Sequence, residues 1–338
     1  MSPTLSSLTT LRVGGKAVLF REVNKTEELI AALAEASENN LSVYPIGEGS
    51  NILASDSGFD GMLIKINSRG ISYEGEGNEV VVTARAGESW DSFVESTLAR
   101  GLYGLENLSG IPGTVGAAPI QNIGAYGAEI QDSVLSLEAI DIRTKEARVF
   151  THSQCGFTYR DSFFKSKEGR NFFITSVTFL LKKTSLPNIS YKDLAEYFGI
   201  EAAPSPLEVR EAVLSIRAKK FPDRKKIGTA GSFFKNPIVS EEVFKALQEK
   251  FPDLPSFSLS PDTRKIPLAW ILDRVCNLRG YREGNIGLFE RQPLVLVNFG
   301  NASAEEIDVF AKKIIARVHE VTGIKVEREV ISLGTFRS

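Results

Sequence analysis

The chain has 338 residues, 42% apolar and 24% charged, with a formal net charge of −2. That length allows two or three domains, the composition is ordinary for a globular protein, and near-neutral charge excludes a general pull toward nucleic acid or an anionic membrane. Only His152 and His319 are present, which leaves little from which to build a Ser-His-Asp triad or a His-rich metal site, and no metal is expected.

The opening MSPTLSSLTTLRVGG has neither a basic n-region nor an apolar h-region, so no secretory leader is expected. After the RVGG turn (Arg12 to Gly15), Val18 to Phe20 reads as a short strand. Thr26 to Asn39 reads as a helix with Leu29, Ile30, Leu33 and Ala36 on one face. A strand from Val43 to Ile46 feeds a GEGSN turn (Gly47 to Asn51), and Met62 to Ile66 is another strand. A second unit opens with a strand at Val80 to Ala84 and a helix over Ser89 to Arg100. It continues through GIPGTVGAAPIQNIGAYG (Gly110 to Gly127) into strands at Val134 to Asp141, Ala147 to Thr151 and Phe172 to Leu181.

The proline-bearing segment 185–209 is a candidate boundary. Within it Ser205-Pro206-Leu207-Glu208 has the form of a capping box with proline at the first helical position. The helix it starts runs to about Lys220, with Val209, Val213 and Ile216 facing a core, and ends in the basic run RAKKFPDRKK. Solvated charge is the default reading of such a run. Arg217 and Lys220, three residues apart on one face and closely followed by GSFFKNP, favour phosphate binding instead. Helices are expected from Ser240 and over Ile266 to Val275, then a strand over Gln292 to Gly300. Ser303-x-x-Glu306 caps a long helix with Ile307, Phe310, Ile314, Ile315 and Val318 as its apolar stripe. The chain closes with an expected strand, Lys325 to Ser332, which puts Glu327 and Glu329 on one face and leaves open which points inward.

The Gly110 to Gly127 stretch carries no charged side chain and is interleaved with alanine and a proline pair. Glycine permits positive φ and close approach to the backbone, and successive exposed N–H groups make a concavity for anions. A tightly packed structural loop is the competing reading. Neither this stretch nor GEGSN fits a G-x-G-x-x-G crossover or a phosphate loop ending in Gly-Lys-Ser/Thr. Two phosphate-cradling turns of another type point to a long ligand with a diphosphate. Cys155 and Cys276 lie far apart and outside any C-x-x-C, as expected of reduced thiols in a cytoplasmic protein.

RVGG, GEGSN, the glycine stretch, YRDS (Tyr159 to Ser162), GSFFKNP (Gly231 to Pro237) and EREV (Glu327 to Val330), in that order, resemble motifs of the UDP-N-acetylenolpyruvoylglucosamine reductase family. The resemblance covers almost the whole chain. It implies an α+β architecture, a three-domain FAD-binding fold of the covalent-flavin-oxidase (PCMH-like) superfamily type plus an α+β substrate domain. Boundaries are expected at 1–67 with 323–338, at 68–216 and at 217–322. The activity implied is NADPH-dependent reduction of UDP-N-acetyl-enolpyruvoylglucosamine to UDP-N-acetylmuramate through bound FAD, for peptidoglycan, in a cytoplasmic protein expected to be a monomer.

For FAD the resemblance selects Gly47, Gly49, Ser50, Asn51, Gly110, Ile111, Pro112, Gly113, Thr114, Gly116, Gln121, Asn122, Gly124, Ala125 and Tyr126, with backbone N–H groups serving the diphosphate. Neither glycine stretch holds His or Cys, so the FAD is expected to be non-covalent. Arg160 matches the arginine on the substrate carboxylate; a salt bridge with Asp161 is the alternative reading of the residue alone. Ser232 matches the proton donor and would otherwise be a turn serine, and Glu329 matches the C-terminal glutamate of the reaction. Tyr159, Tyr191, Arg217, Lys220, Asn236 and Gln292 carry over as substrate contacts. Lys192 stands where the branch with the closing tyrosine usually has glycine.

Overall fold

A computed structural model describes residues 3–199 and 202–336. Ile200 and Glu201, inside the proline-bearing segment, lie outside the described residues. The chain divides into two compact units, one of Met1–Ala17, Gly49–Phe59 and Lys219–Ser338, the other of Val18–Glu48 and Asp60–Ala218.

The second of these is built on two sheets. The strands Ala17–Val23, Phe59–Ile66 and Ser42–Ile46 form the first, in that spatial order, the last two parallel. The helix Thr26–Glu38 covers it with Leu29, Ala32, Leu33 and Ala36, packed with Met62 and Ile64. Ala32 thus takes the buried place expected for Ile30, which is only half-buried. The other sheet is antiparallel, in the order Ala147–Thr151, Val134–Asp141, Phe172–Lys182, Glu79–Arg85, Ile71–Glu74. Its edge strand Ile71–Glu74 was not foreseen from the sequence; its burial merely alternates between half-buried and exposed, so it offers little apolar signal. Across this sheet the helix Trp90–Ala99 lays Trp90 and Phe93 against Phe179, with ring centroids 6.1 and 5.0 Å away. The Trp90 indole N–H is buried and donates to the Leu108 carbonyl at 2.9 Å. Cys155 lies in this core, where burial pushes its thiol up to about 12.

In the other unit a four-stranded sheet runs Gly228–Ser232, Gln292–Asn298, Ile286–Phe289, Arg282–Glu283. The helix Ala304–Thr322 buries Ile307, Phe310, Ile314 and Val318 in the same core, and its Ser303–Glu306 capping box is formed in both directions. A parallel pair joins Ile52–Ala54 to Ile331–Leu333. The helix expected around 266–275 is present from Leu268, as an α turn, Leu268–Trp270, that widens into a π helix, Ile271–Val275, closed by the Cys276 N–H on the Ile271 carbonyl. Pro267 sets the start, because it restricts Ile266 to extended backbone. The closing strand shrinks to Ile331–Leu333, and residues 325–330 run outside any sheet apart from a Phe234–Arg328 bridge. Among the described residues no helix is long and apolar enough to cross a membrane.

Candidate active site

In the unit that holds the glycine stretch, Gly110 is clamped from both sides. Its N–H donates to the Asp91 carboxylate at 2.6 Å, and its carbonyl accepts from Arg217 Nε at 3.1 Å. Asp91 also takes two hydrogen bonds, 2.6 and 3.2 Å, from Arg210, a guanidinium only 8% exposed. Burial pushes the Asp91 carboxyl up, but Arg210, the Gly110 N–H and Arg217 outweigh it and hold the carboxyl below its usual range. Arg210 and Arg217 stand seven residues apart on the helix Pro206–Lys220, two turns along one face. Truncating Arg210 to Met removes two charge-assisted hydrogen bonds from Asp91, whose side chain is 37% exposed, and is expected to cost about 1.5–3 kcal/mol. The double variant Asp91→Leu with Arg210→Met recovers most of that loss in urea denaturation. Equal midpoints for the single and double variants would show that the pair is not what holds the helix there.

The loop's glycines answer first to the protein. A Cβ on Gly116 would fall 2.5 Å from the Ala86 Cβ, and one on Gly47 would fall 2.8 Å from Thr114 Oγ1. Several of its N–H groups are likewise used internally: Gly113 donates to the Glu48 carboxylate at 3.0 Å, Val115 to the Glu88 carbonyl and Gly116 to the Ala86 carbonyl, both at 2.9 Å. The expectation that the loop's N–H groups serve a diphosphate therefore narrows. Among the described residues, the N–H groups of Ile111 and Thr114 donate to no protein acceptor. Thr114 faces Ser89 across an isolated antiparallel bridge whose hydrogen bonds come from Trp90 and Val115, so its own N–H points outward. Outward N–H groups in an uncharged, proline-fixed loop fit an anionic diphosphate.

Asn122 is fully buried at φ +44°, its amide donates to Glu129 (2.7 Å) and to the Thr158 carbonyl (3.0 Å), and its Oδ1 accepts from the Gln131 N–H. Its side chain braces the loop, and its own N–H donates to the Pro119 carbonyl at 3.1 Å. Gln121 ends the short turn Ala118–Gln121, and Gly124 and Ala125 pair with Ala128–Glu129. Arg160 sits at φ +54° and donates from Nη2 to the Gly124 carbonyl at 2.6 Å, with its guanidinium 5.5 Å from the Tyr159 ring centroid.

Tyr126, also left-handed at φ +49°, is hydrogen-bonded by Arg217 and meets Tyr191 edge-on at 5.6 Å. Burial above all pushes the Tyr126 hydroxyl up to about 12, and burial also raises Tyr191. The Asn107 amide ties the Tyr126 carbonyl (2.8 Å) to that of Asn188 (2.7 Å), joining the loop to the segment that carries Tyr191. Lys192 begins the helix Lys192–Phe198 with no positive φ and pairs with Glu196 at 3.7 Å. Glycine is thus not required at that position. Sequence reasoning missed Asp91, Asn107 and Arg210; each reaches its partner across a long stretch of chain, where no spacing rule applies.

The other unit brings GSFFKNP and EREV together. The Glu329 N–H donates to the Phe233 carbonyl and the Lys235 N–H to the Glu327 carbonyl, both at 2.9 Å. Phe233 and Phe234 are buried. The strand Gly228–Ser232 bulges between Thr229 and Ser232, with Gly231 at φ +74° and no atom near a Cβ there. A bulge re-aims the residue that follows it. Here that residue is Ser232, half-buried and paired with Val295.

The two glutamates part company. Glu327 is 74% exposed in its side chain and ion-paired with Lys235 at 2.9 Å, whereas Glu329 is half-buried. Asn51 donates from its amide to the Glu329 carbonyl at 3.2 Å. Gly49, at φ +62° with Leu8 O only 2.1 Å from where a Cβ would lie, and Ser50 precede it in the turn. Asn236 Oδ1 accepts from the Leu268 N–H at 2.9 Å, and Gln292 Oε1 accepts from the Leu294 N–H at 3.4 Å. Lys220 closes its helix. Arg12 of RVGG braces the basic run beyond it, donating to the Arg224 (2.6 Å) and Lys225 (2.8 Å) carbonyls. Both histidines are exposed, and no cluster of His, Cys, Asp or Glu among the described residues suits a metal ion.

Comparison with known proteins bears on both units. Residues 18–148 match the family described as FAD binding domain, and residues 222–333 match UDP-N-acetylenolpyruvoylglucosamine reductase, C-terminal domain. A UDP-N-acetylenolpyruvoylglucosamine reductase from Bdellovibrio bacteriovorus is 41% identical over 332 residues, 98% of each chain. The chain belongs to the UDP-N-acetylenolpyruvoylglucosamine reductase family. A second relative of that name, from Chromobacterium violaceum, is 39% identical over 96% of each chain. The crystal structure of the Thermus caldophilus reductase aligns with a TM-score of 0.70 at 24% identity, covering 99% of this chain and 98% of that one, and so shares the fold. The FAD-binding match takes in this reductase's Asp91 and Gly110 to Tyr126, and the C-terminal match takes in Ser232 and Glu329.

Proposed function

We propose that this reductase uses bound FAD and NADPH to reduce the enolpyruvyl double bond of UDP-N-acetyl-enolpyruvoylglucosamine, giving UDP-N-acetylmuramate for peptidoglycan. The observation that carries the reading is the bulged strand end that re-aims Ser232 where EREV pairs with GSFFKNP. FAD, when bound, supplies the two-electron chemistry, taking reducing equivalents from NADPH and delivering them to the terminal enolpyruvyl carbon. The protein must then stabilise an enolate conjugated with the substrate carboxylate and protonate the neighbouring carbon. Arg160 grips that carboxylate, because a guanidinium stays charged and donates in a fork. Ser232 gives up its hydroxyl proton; so weak an acid suffices only because the enolate is a strong, short-lived base. Glu329 assists the enol form.

Ile111 and Thr114 meet the FAD diphosphate through their N–H groups, and Tyr191 closes over the UDP-sugar. Lys220 and Arg217 face its phosphates, and Asn236 and Gln292 its sugar and uridine side, through whatever donors their backbone contacts leave available. Tyr126 keeps its phenol proton throughout the physiological range, given the direction of its shift. The test is the visible spectrum of the purified protein under anaerobic conditions. A flavin spectrum should bleach on adding NADPH and return on adding the enolpyruvyl-UDP-sugar. Bleaching without recovery discards the substrate, and a colourless protein that takes up no FAD discards the reading.

A further inference from the structure

We propose that the buried Asp308–Arg328 ion pair and the Asn51 amide are positioning groups that aim Glu329. The proposal rests on the reading of Glu329 as a residue of the reaction. Residues 327–330 belong to no sheet strand, and a single bridge, Phe234–Arg328, is the only ladder pairing they make among the described residues. Other contacts do. Arg328 donates from Nη1 to the Asp308 carboxylate and from Nη2 to the Asp308 carbonyl at 3.0 Å, with its guanidinium 5.8 Å from the Phe233 ring centroid. Asp308 is 3% exposed on the helix Ala304–Thr322 and also pairs with Lys312 at 3.1 Å. Glu329 itself is held at both backbone groups, its N–H by the Phe233 carbonyl (2.9 Å) and its carbonyl by Asn51 Nδ2 (3.2 Å). The Ile331 N–H returns to the Asn51 carbonyl at 3.0 Å, so Asn51 brackets the residue.

The chain bends at Glu329 and Val330, directly after the isolated Phe234–Arg328 bridge, so anchoring Arg328 on the helix fixes where the bend that carries Glu329 begins. Glu327, on the other side of Arg328, is ion-paired with Lys235. Glu329, held at both backbone groups, is the carboxylate whose direction this frame sets. A buried ion pair is a poor source of stability, since apolar residues of similar volume often do as well or better. One placed directly before Glu329 makes sense as a fixer of geometry. Asn51, which the motif reading gave to FAD, spends its amide on this frame.

The experiment compares four variants of the full chain loaded with FAD: Glu329→Gln, Arg328→Lys, Arg328→Met, and Asp308→Leu with Arg328→Met. NADPH-driven flavin reduction and sugar-driven flavin reoxidation are timed separately, with the pH profile of the second step and the unfolding midpoint of each variant. A misplacement of ~1 Å costs about 10²-fold. Arg328→Met and the double variant should therefore lose about that much in the second step, with a displaced pH profile, while the first stays within about 2-fold. Arg328→Lys should restore most of the rate. The double variant, with no stranded charge, should keep its midpoint, which separates misplacement from unfolding. A double variant with full second-step activity, beside an inactive Glu329→Gln, overturns the positioning role alone. Equal losses in both steps overturn it too, by showing a merely structural pair. If Glu329→Gln reoxidises normally, the reading of Glu329 fails and the proposal falls with it.

Discussion

Ser232→Ala should reduce its flavin with NADPH at the normal rate and then stall. The sugar-driven reoxidation should slow by about 10²–10⁴-fold, the usual worth of a positioned general acid. The geometry makes this substitution unusually clean. The bulge that aims residue 232 depends on Gly231 at φ +74° and on the register shift after Thr229, and neither involves the serine side chain. Among the described residues the Ser232 hydroxyl makes no hydrogen bond within the protein, so alanine removes a proton without removing a structural contact. The unfolding midpoint should stay where it is, and Ser232→Cys, which keeps a proton to give, should recover part of the rate. The two half-reactions followed by rapid mixing check this. Loss of both halves, or an undisturbed second half, would remove Ser232 from the role of proton donor.

What the sequence made legible is what local chemistry determines. The helix Pro206–Lys220 begins where Ser205, Pro206 and Glu208 said it would, because a capping box and a proline act within one turn. The Ser303–Glu306 box behaves the same way. The strand expected at 325–332 failed for the opposite reason. Lys-Val-Glu-Arg-Glu-Val alternates like a strand, but the chain pairs only at Arg328 and bends at Glu329 and Val330 before the strand Ile331–Leu333 begins. Alternation in the sequence does not announce such a bend.

The glycine stretch shows the same division. Its lack of charge marked it as a binding loop, yet nothing local announced Asp91, Glu48 and Arg217 as the groups that grip Gly110 and Gly113. Much of its glycine serves packing against the protein, as at Gly116 against Ala86. Composition alone cannot separate a backbone that must approach a ligand from one that must approach its own neighbours. The two candidate glutamates were indistinguishable for a similar reason, since the Lys235 ion pair of Glu327 and the greater burial of Glu329 both come from tertiary structure.

Arg160 offers the second large effect, and one in which strain and function come apart. Its backbone is left-handed at φ +54°, a conformation that costs a residue with a Cβ roughly 1–2 kcal/mol and glycine almost nothing. Its Nη2 bond to the Gly124 carbonyl returns about 0.5–1.5 kcal/mol. Arg160→Gly loses the bond but relieves the backbone, so its unfolding midpoint should lie near that of the unsubstituted protein. Arg160→Ala loses the bond and keeps the strain, so it should be the less stable of the two. Both should be equally crippled in the sugar-driven half-reaction, by about 10²–10³-fold, because each deletes the charge facing the developing enolate. Arg160→Lys keeps the charge without the fork and should fall between. Urea denaturation and stopped-flow reoxidation on the same three proteins give the two orderings independently. If activity follows stability through the series, Arg160 is a structural bracket on Gly124. If glycine is the more stable variant and just as slow as alanine, the strained arginine is held there for the substrate's carboxylate.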